Sequence, residues 1–364
     1  AIGLESLCSN TTGTNNVAIS CKTLEDNTSG TNNVAIGVAS LFNNTTANDN
    51  TALGSYVLTK NTEGHSNLAA GTNAAGCNTT GDLNTALGFC SLRLNTTANN
   101  NTAVGAKALA VSTTAADNVA LGTSAMVATT TGHSNVSIGK DSMIGNLTGD
   151  GNTALGFKAL FTNNGSTPDF NVAIGRQALY SNTTGTVNTA VGLNASYSNT
   201  TGTCNVAIGR NALYSTTTGY KNVSMGAAAL YTNTEGYENV AIGDTALYLN
   251  TTGVENTAVG CGALYTNTTA HANTAIGRAT LRLNTTGTKN VAVGRNALCS
   301  NTTADCNTAV GFQALCTTTT GNRNTAVGNN ALFANTTGTR NLALGHCAMA
   351  ANTEGADNTA VGND

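Results

Sequence analysis

The chain has 364 residues, of which only 9% are charged, and a net charge of −3. Its Lys and Arg are scattered, with no basic run and no basic–aromatic stripe, which argues against a nucleic-acid partner; no stretch approaches the ~20 apolar residues of a membrane-spanning helix. A single Pro (Pro168) and little charge set the chain apart from ordinary disordered sequence. The absence of Trp, with aromatics at 4%, argues against a thick globular core.

From the first residues onward the sequence repeats. Asn16, Asn33, Asn50 and their successors follow one another at 17 residues as far as Asn152. A 19-residue step leads to Asn171, and the 17-residue period resumes from Asn188 through Asn205, Asn222, Asn239 and Asn256 to Asn358. We number each repeat from this Asn. Position 3 is Ala, with Ser137 and Ser224 as exceptions, and position 4 is aliphatic or Met, with Ala70 as the exception. Position 5 is Gly apart from Ser20, and position 9 is Leu or Met apart from Ala75 and Ser196. Asn-Thr-Thr-Gly recurs from position 12. The extra two residues fall within 163–170, and Pro168 in that stretch suggests a loop bulging from one coil.

Seventeen residues are too few for a helical-hairpin repeat and suit one coil of a solenoid. Positions 1–5 read as a first strand, with the β-branched residues at 2 and 4 facing the interior. Gly at 5 permits a sharp turn, positions 8–11 read as a second strand with Leu inward, and Asn-Thr-Thr-Gly as the return turn. The expected fold is all-β, a parallel β-solenoid (β-roll) of about 21 coils. At ~4.8 Å per coil the array would reach a length on the order of 100 Å. Residues 1–364 read as a single continuous array. It opens in mid-motif at Ala1-Ile2-Gly3 and closes in mid-motif at Gly362-Asn363-Asp364, so we expect it to be a fragment of a longer repeat chain.

The recurring residues suggest roles. Stacked in register, Asn16, Asn33, Asn50, Asn205, Asn222, Asn239 and Asn256 fit an amide ladder. Ala at position 3 would face away from the interior, where a small-residue stripe admits close approach by another chain; we read it as a subunit interface, against a tolerated small surface residue. The turns carry Asn-x-Thr (at Asn27, Asn-x-Ser) acceptor sequences at Asn10, Asn27, Asn44, Asn78, Asn95, Asn146, Asn182, Asn199, Asn250, Asn267, Asn284, Asn301 and Asn335. These read either as N-glycosylation sites or as turn chemistry copied by duplication. Position 10 carries an aromatic ladder, Tyr180, Tyr197, Tyr214, Tyr231, Tyr248 and Tyr265, read as packing or as a platform for sugars. Cys299 and Cys316 share position 10 in adjacent coils, a disulfide candidate, with free, buried thiols as the other reading. Threonines at positions 13 and 14 raise ice binding, although they fall in a turn and not on a flat strand face. His65, His133, His271 and His346 lie coils apart, and no catalytic, phosphate-loop or metal-ligand spacing is found. We therefore expect no enzyme, no cofactor and no metal.

The unit Asn-Thr/Val-Ala-Ile/Val-Gly, as in Asn205-Val206-Ala207-Ile208-Gly209, resembles the head repeats of YadA-like trimeric autotransporter adhesins. The longer unit resembles repeat arrays in phage-tail-fibre-like and bacterial surface proteins. The resemblance covers the whole chain and implies a left-handed roll, three chains about one axis, and an adhesive or shaft role. The period departs from it, since the adhesin repeat is nearer 14 residues. The functional expectation is an extracellular structural fibre or adhesin shaft on a cell or virion surface. It would associate with itself as a trimer or fibril and would carry N-glycans on its turns. The alternatives are a carbohydrate-binding solenoid using the Tyr ladder to hold a surface glycan receptor, and an ice-binding protein.

Overall fold

The computed structural model describes residues 1–165 and 169–363; Pro168, on which the expectation of a bulging loop rested, and Asp364 lie outside them. Among the described residues there are 21 strands of three residues each and no helix. The chain divides into two compact units, residues 1–186 and 187–364. The first holds ten strands, from Val17–Ile19 to Val172–Ile174, and the second eleven, from Thr189–Val191 to Thr359–Val361. Within each unit every strand pairs in parallel with the next, and equivalent residues face one another. Val17, Ala18 and Ile19 stand opposite Val34, Ala35 and Ile36, and Thr257, Ala258 and Val259 opposite Thr274, Ala275 and Ile276. The result is an all-β parallel solenoid with a 17-residue coil.

The strand turns the other way from the sequence expectation. Its middle Ala is buried, as at Ala18, Ala35, Ala207 and Ala258, while the flanking residues face outward, Ile19 at 38% and Ile242 at 38% exposure. The coil is so narrow that only a methyl or hydroxymethyl fits behind the strand. Ser224 occupies the same inward position by donating its Oγ hydrogen to the carbonyl of Ala229 at 2.8 Å. The Ala stripe is therefore core, and it is not available as a subunit interface.

The expected second strand is also absent. Positions 7 and 9 adopt left-handed backbone in coil after coil, as at Lys22 (φ 59°) and Leu24 (φ 50°), and Asn211 (φ 57°) and Leu213 (φ 53°). Alternation of right- and left-handed residues sends successive amides to opposite neighbours. The N–H of Lys22 donates to the carbonyl of Leu4 in the preceding coil, and that of Leu24 to Ser40 in the next. The stack thus keeps its inter-coil hydrogen bonds without β geometry. A left-handed L-residue costs about 1–2 kcal/mol. Leu213, Leu230 and Leu247 offset it by complete burial, which contributes about 1.5–3 kcal/mol each.

Position 5 turns the chain sharply. Gly37 sits at φ 127°, and a Cβ built there would come within 2.3 Å of the carbonyl oxygen of Gly54. That contact, with the positive φ, explains why Gly recurs at this corner. The core inside each coil is thin: mostly Ala at 3, Ala, Ser, Thr or once Val (Val57) at 8, Leu or Met at 9, and Asn at 1 and 12.

Candidate functional site

The repeat places one Asn at position 1 of every coil and a second at position 12 of most, and both build ladders. At position 1, Oδ1 of Asn16 accepts the backbone N–H of Asn33 at 2.9 Å and its amide at 3.2 Å, and the Asn33 amide donates onward to the carbonyl of Ala47 at 2.8 Å. Asn50 continues the chain, its backbone N–H donating to Asn33 Oδ1. In the second unit the backbone N–H groups of Asn222, Asn239 and Asn256 donate in turn to Oδ1 of Asn205, Asn222 and Asn239, at 3.0–3.1 Å. The side chain thus joins two coils and closes its own, which satisfies the polar groups that a thin core would otherwise leave unpaired.

The position-12 asparagines form a second ladder. Asn44 donates to Oδ1 of Asn27 at 2.8 Å, Asn95 to Asn78 at 2.7 Å, Asn267 to Asn250 at 2.8 Å, and Asn301 to Asn284 at 2.7 Å. Each amide also donates to the carbonyl three residues on, as do those of Asn146, Asn182, Asn199 and Asn335. Of the thirteen proposed acceptors, all but Asn10 are buried. This weighs against glycan-bearing turns: the Nδ2 of Asn44, Asn95, Asn267 or Asn301 already donates twice inside the coil, which leaves it neither room nor a free hydrogen for a sugar. The sequence carried a signal for this. Asn stands at position 12 even where the acceptor sequence is broken, at Asn61, Asn163, Asn233 and Asn352, and is otherwise replaced by small hydroxyl residues such as Ser112 and Thr216. What repeats is the amide, not the sequon.

The aromatic ladder is a stack of half-buried rings. Centroids lie 5.2 Å apart for Tyr197 and Tyr214, 5.1 Å for Tyr214 and Tyr231, 5.2 Å for Tyr231 and Tyr248, and 5.1 Å for Tyr248 and Tyr265, with planes within 11° of parallel. In the first unit Tyr180 stacks on Phe161 at 4.9 Å. Each interior ring covers its neighbour's face, so what the ladder presents to solvent is ring edges and hydroxyls. Sugars bind aromatic residues through the ring face, and that surface is taken.

All ten cysteines are free in this structure, Cys299 and Cys316 among them. In-register stacking holds equivalent atoms roughly 4.8 Å apart, whereas a disulfide draws Cβ atoms to about 3.8 Å. Burial pushes the Cys316 thiol up to about 11, with Cys299 beside it adding to the shift. Cys299 is also raised by burial, against the opposing charge of Arg282. Among the described residues no group of three or more His, Cys, Asp and Glu is placed to hold a metal ion, and no helix is long and apolar enough to cross a membrane. His65 is engaged in the stack, its Nδ1 accepting the backbone N–H of Asn48.

The outward strand face is the most regular surface. Positions 2 and 4 are occupied by Val, Thr, Leu, Ile, Met or, once, Ala, with no charge at either. Position 4 stands in a rank of half-open apolar side chains: Ile19, Ile36 and Leu53 at 38–39% in the first unit, and Ile208, Met225 and Ile242 at 37–39% in the second.

No protein-family model matches this sequence, and no curated protein matches it.

Proposed function

We propose that this chain is a non-catalytic structural element of an extracellular fibre or adhesin shaft, on a cell or virion surface, that associates with copies of itself through its outward strand face. One observation carries the reading: within each unit, ranks of uncharged side chains at positions 2 and 4 stand outward on an in-register parallel sheet. A contiguous rank of exposed apolar side chains is the kind of surface that protein partners cover. A second copy offers the same ranks at the same spacing, so apolar rows meet in phase with no charge to bury. The resemblance to trimeric adhesin heads suggests three copies about one axis, with positions 2 and 4 in the contact that Ala at position 3 does not make.

The alternatives have less support. The Tyr rings cover one another's faces. The position-13 threonines, offered for ice binding, turn their hydroxyls to the next coil: Thr28 Oγ1 donates to the carbonyl of Thr45 at 3.0 Å, and Thr251 Oγ1 to that of Thr268 at 3.1 Å.

Analytical ultracentrifugation of the chain and of an Ile208→Lys/Ile242→Lys variant tests the proposal. Self-association of the parent, lost in a variant that keeps its β-sheet circular dichroism, supports it. A parent that sediments as a monomer at every concentration overturns it.

A further inference from the structure

Charged residues in this solenoid meet in ranks, because equivalent positions of successive coils stand one above another. Where the partners are opposite in sign they pair: Lys22 with Glu5 at 3.2 Å, Lys221 with Glu238 at 3.1 Å, and Arg340 with Asp357, each 17 residues apart. Arg278 and Arg295 break that pattern. Both occupy position 6, in adjacent coils held in register by the pairing of Thr274–Ile276 with Val291–Val293. Like charges directly opposite on paired strands are destabilising. A third guanidinium, Arg282, approaches from position 10 and lies 5.9 Å from the centre of the Tyr265 ring. None of the three has a carboxylate partner among the described residues. Another like-charged pair in this unit, Arg323 and Arg340, differs in that Asp357 grips Arg340 with both oxygens.

The three arginines line one recess of about 290 Å³, together with Tyr265, Cys261 and Gly262. The recess exists because side chains are missing from its floor. Position 7 carries Gly262, where a Cβ would meet no atom within 4 Å, followed by Ala279 in the next coil. The nearest acid in the position-6 rank, Asp244, is two coils from Arg278, beyond Cys261, and does not line the recess.

We propose that this recess is an oxyanion-binding site, built to take a phosphate or sulfate group among Arg278, Arg282 and Arg295. Guanidinium forks match the oxygens of such a group and donate to them in pairs. An anion seated there also removes the repulsion between the stacked arginines. The group could be an inorganic ion or an ester on a saccharide. The site lies wholly within the second unit and does not depend on self-association.

Titration calorimetry of the full chain against sodium sulfate, sodium phosphate and a sulfated disaccharide, each at matched ionic strength in sodium chloride, tests this. An Arg278→Gln/Arg295→Gln variant should bind at least tenfold more weakly. Gly262→Asn, which tolerates the left-handed backbone and fills the floor, should also weaken binding. Arg210→Gln, at the same position in a different coil, should leave binding unchanged. Unaltered circular dichroism of each variant excludes misfolding as the cause. Binding of the inorganic ions shows that the anion alone suffices, and binding of the disaccharide only shows that an ester is required; either result, lost in the double variant, supports the site. Absence of binding by all three probes, or equal binding by parent and double variant, overturns it.

Discussion

The amide nitrogen of Asn267 lies 2.8 Å from Oδ1 of Asn250 in the preceding coil and 3.2 Å from the carbonyl oxygen of Ala270 in its own. Asn267→Ala leaves that carbonyl and the Asn250 oxygen buried without this donor, at a cost of about 1–3 kcal/mol each. Asn267→Asp should cost more, because it turns a carboxylate toward another oxygen. A stack of near-identical coils need not unfold in one step, so the measurement is amide hydrogen exchange, with protection lost first at Thr268 and its neighbours.

The same geometry predicts the outcome in a host that attaches N-glycans. Intact-mass analysis of the folded chain should show Asn250, Asn267 and Asn284 unmodified. Asn10, in the first coil and only half buried, is the one proposed acceptor accessible without opening a coil. A folded chain carrying glycans at the interior sites would refute the buried ladder.

Leu247 is fully buried yet left-handed, at φ 51°. Leu247→Ala should destabilise by about 2–5 kcal/mol. Two positions before a core Leu, at half-buried Gln313 (φ 54°), Gln→Gly should instead stabilise by about 0.5–1 kcal/mol, since Gly adopts that backbone without the steric penalty. Thermal denaturation of the two variants, moving in opposite directions, checks the alternating backbone.

Cys316 titrates near 11 because of burial, so its thiolate is scarce at pH 8. Iodoacetamide at that pH should modify the exposed Cys204 and Cys261 well before Cys316, whose rate should climb as pH approaches 11. Mass spectrometry without reductant should find Cys299 and Cys316 as thiols.

Asp357 is held below the usual carboxylate range by its hydrogen bonds to Arg340. The sign follows from that depression: the pair stabilises the last coils above the ordinary carboxylate value and is lost as pH falls through the lower folded value. Both groups are exposed, so the effect should be small and should shrink with salt. Hydrogen exchange in the terminal coils should distinguish Asp357→Asn from the parent at pH 6 and not at pH 2.

The period, the parallel stacking and the Gly corner could be read from the sequence, because each depends on backbone geometry repeated at fixed spacing. The facing of the strand could not. Alternation assigns Val17 and Ile19 to one face and Ala18 to the other, and hydrophobicity alone favours Val and Ile for the interior; the narrowness of the coil reverses this, and no single repeat states that width. The second strand was misread because alternating handedness at Lys22 and Leu24 directs amides to both neighbours much as a strand does. Position-12 Asn was read as a turn residue since Asn-Thr-Thr-Gly is good turn chemistry; its persistence at Asn61 and Asn233, where the acceptor sequence fails, pointed indoors. The arginine recess was not anticipated, because Arg278, Arg282 and Arg295 meet only once the coils are stacked.

In-register pairing of equivalent residues means that height within either unit is counted in whole coils. Deleting seventeen consecutive residues brings Asn onto Asn, Ala onto Ala and each outward rank onto itself, so a unit shortens by one step of roughly 4.8 Å with its surface pattern unbroken. Deleting sixteen throws every ladder above the cut out of phase. Such a molecule can change its reach by unequal recombination between repeats while its contacts stay the same, so length becomes a trait that varies separately from binding.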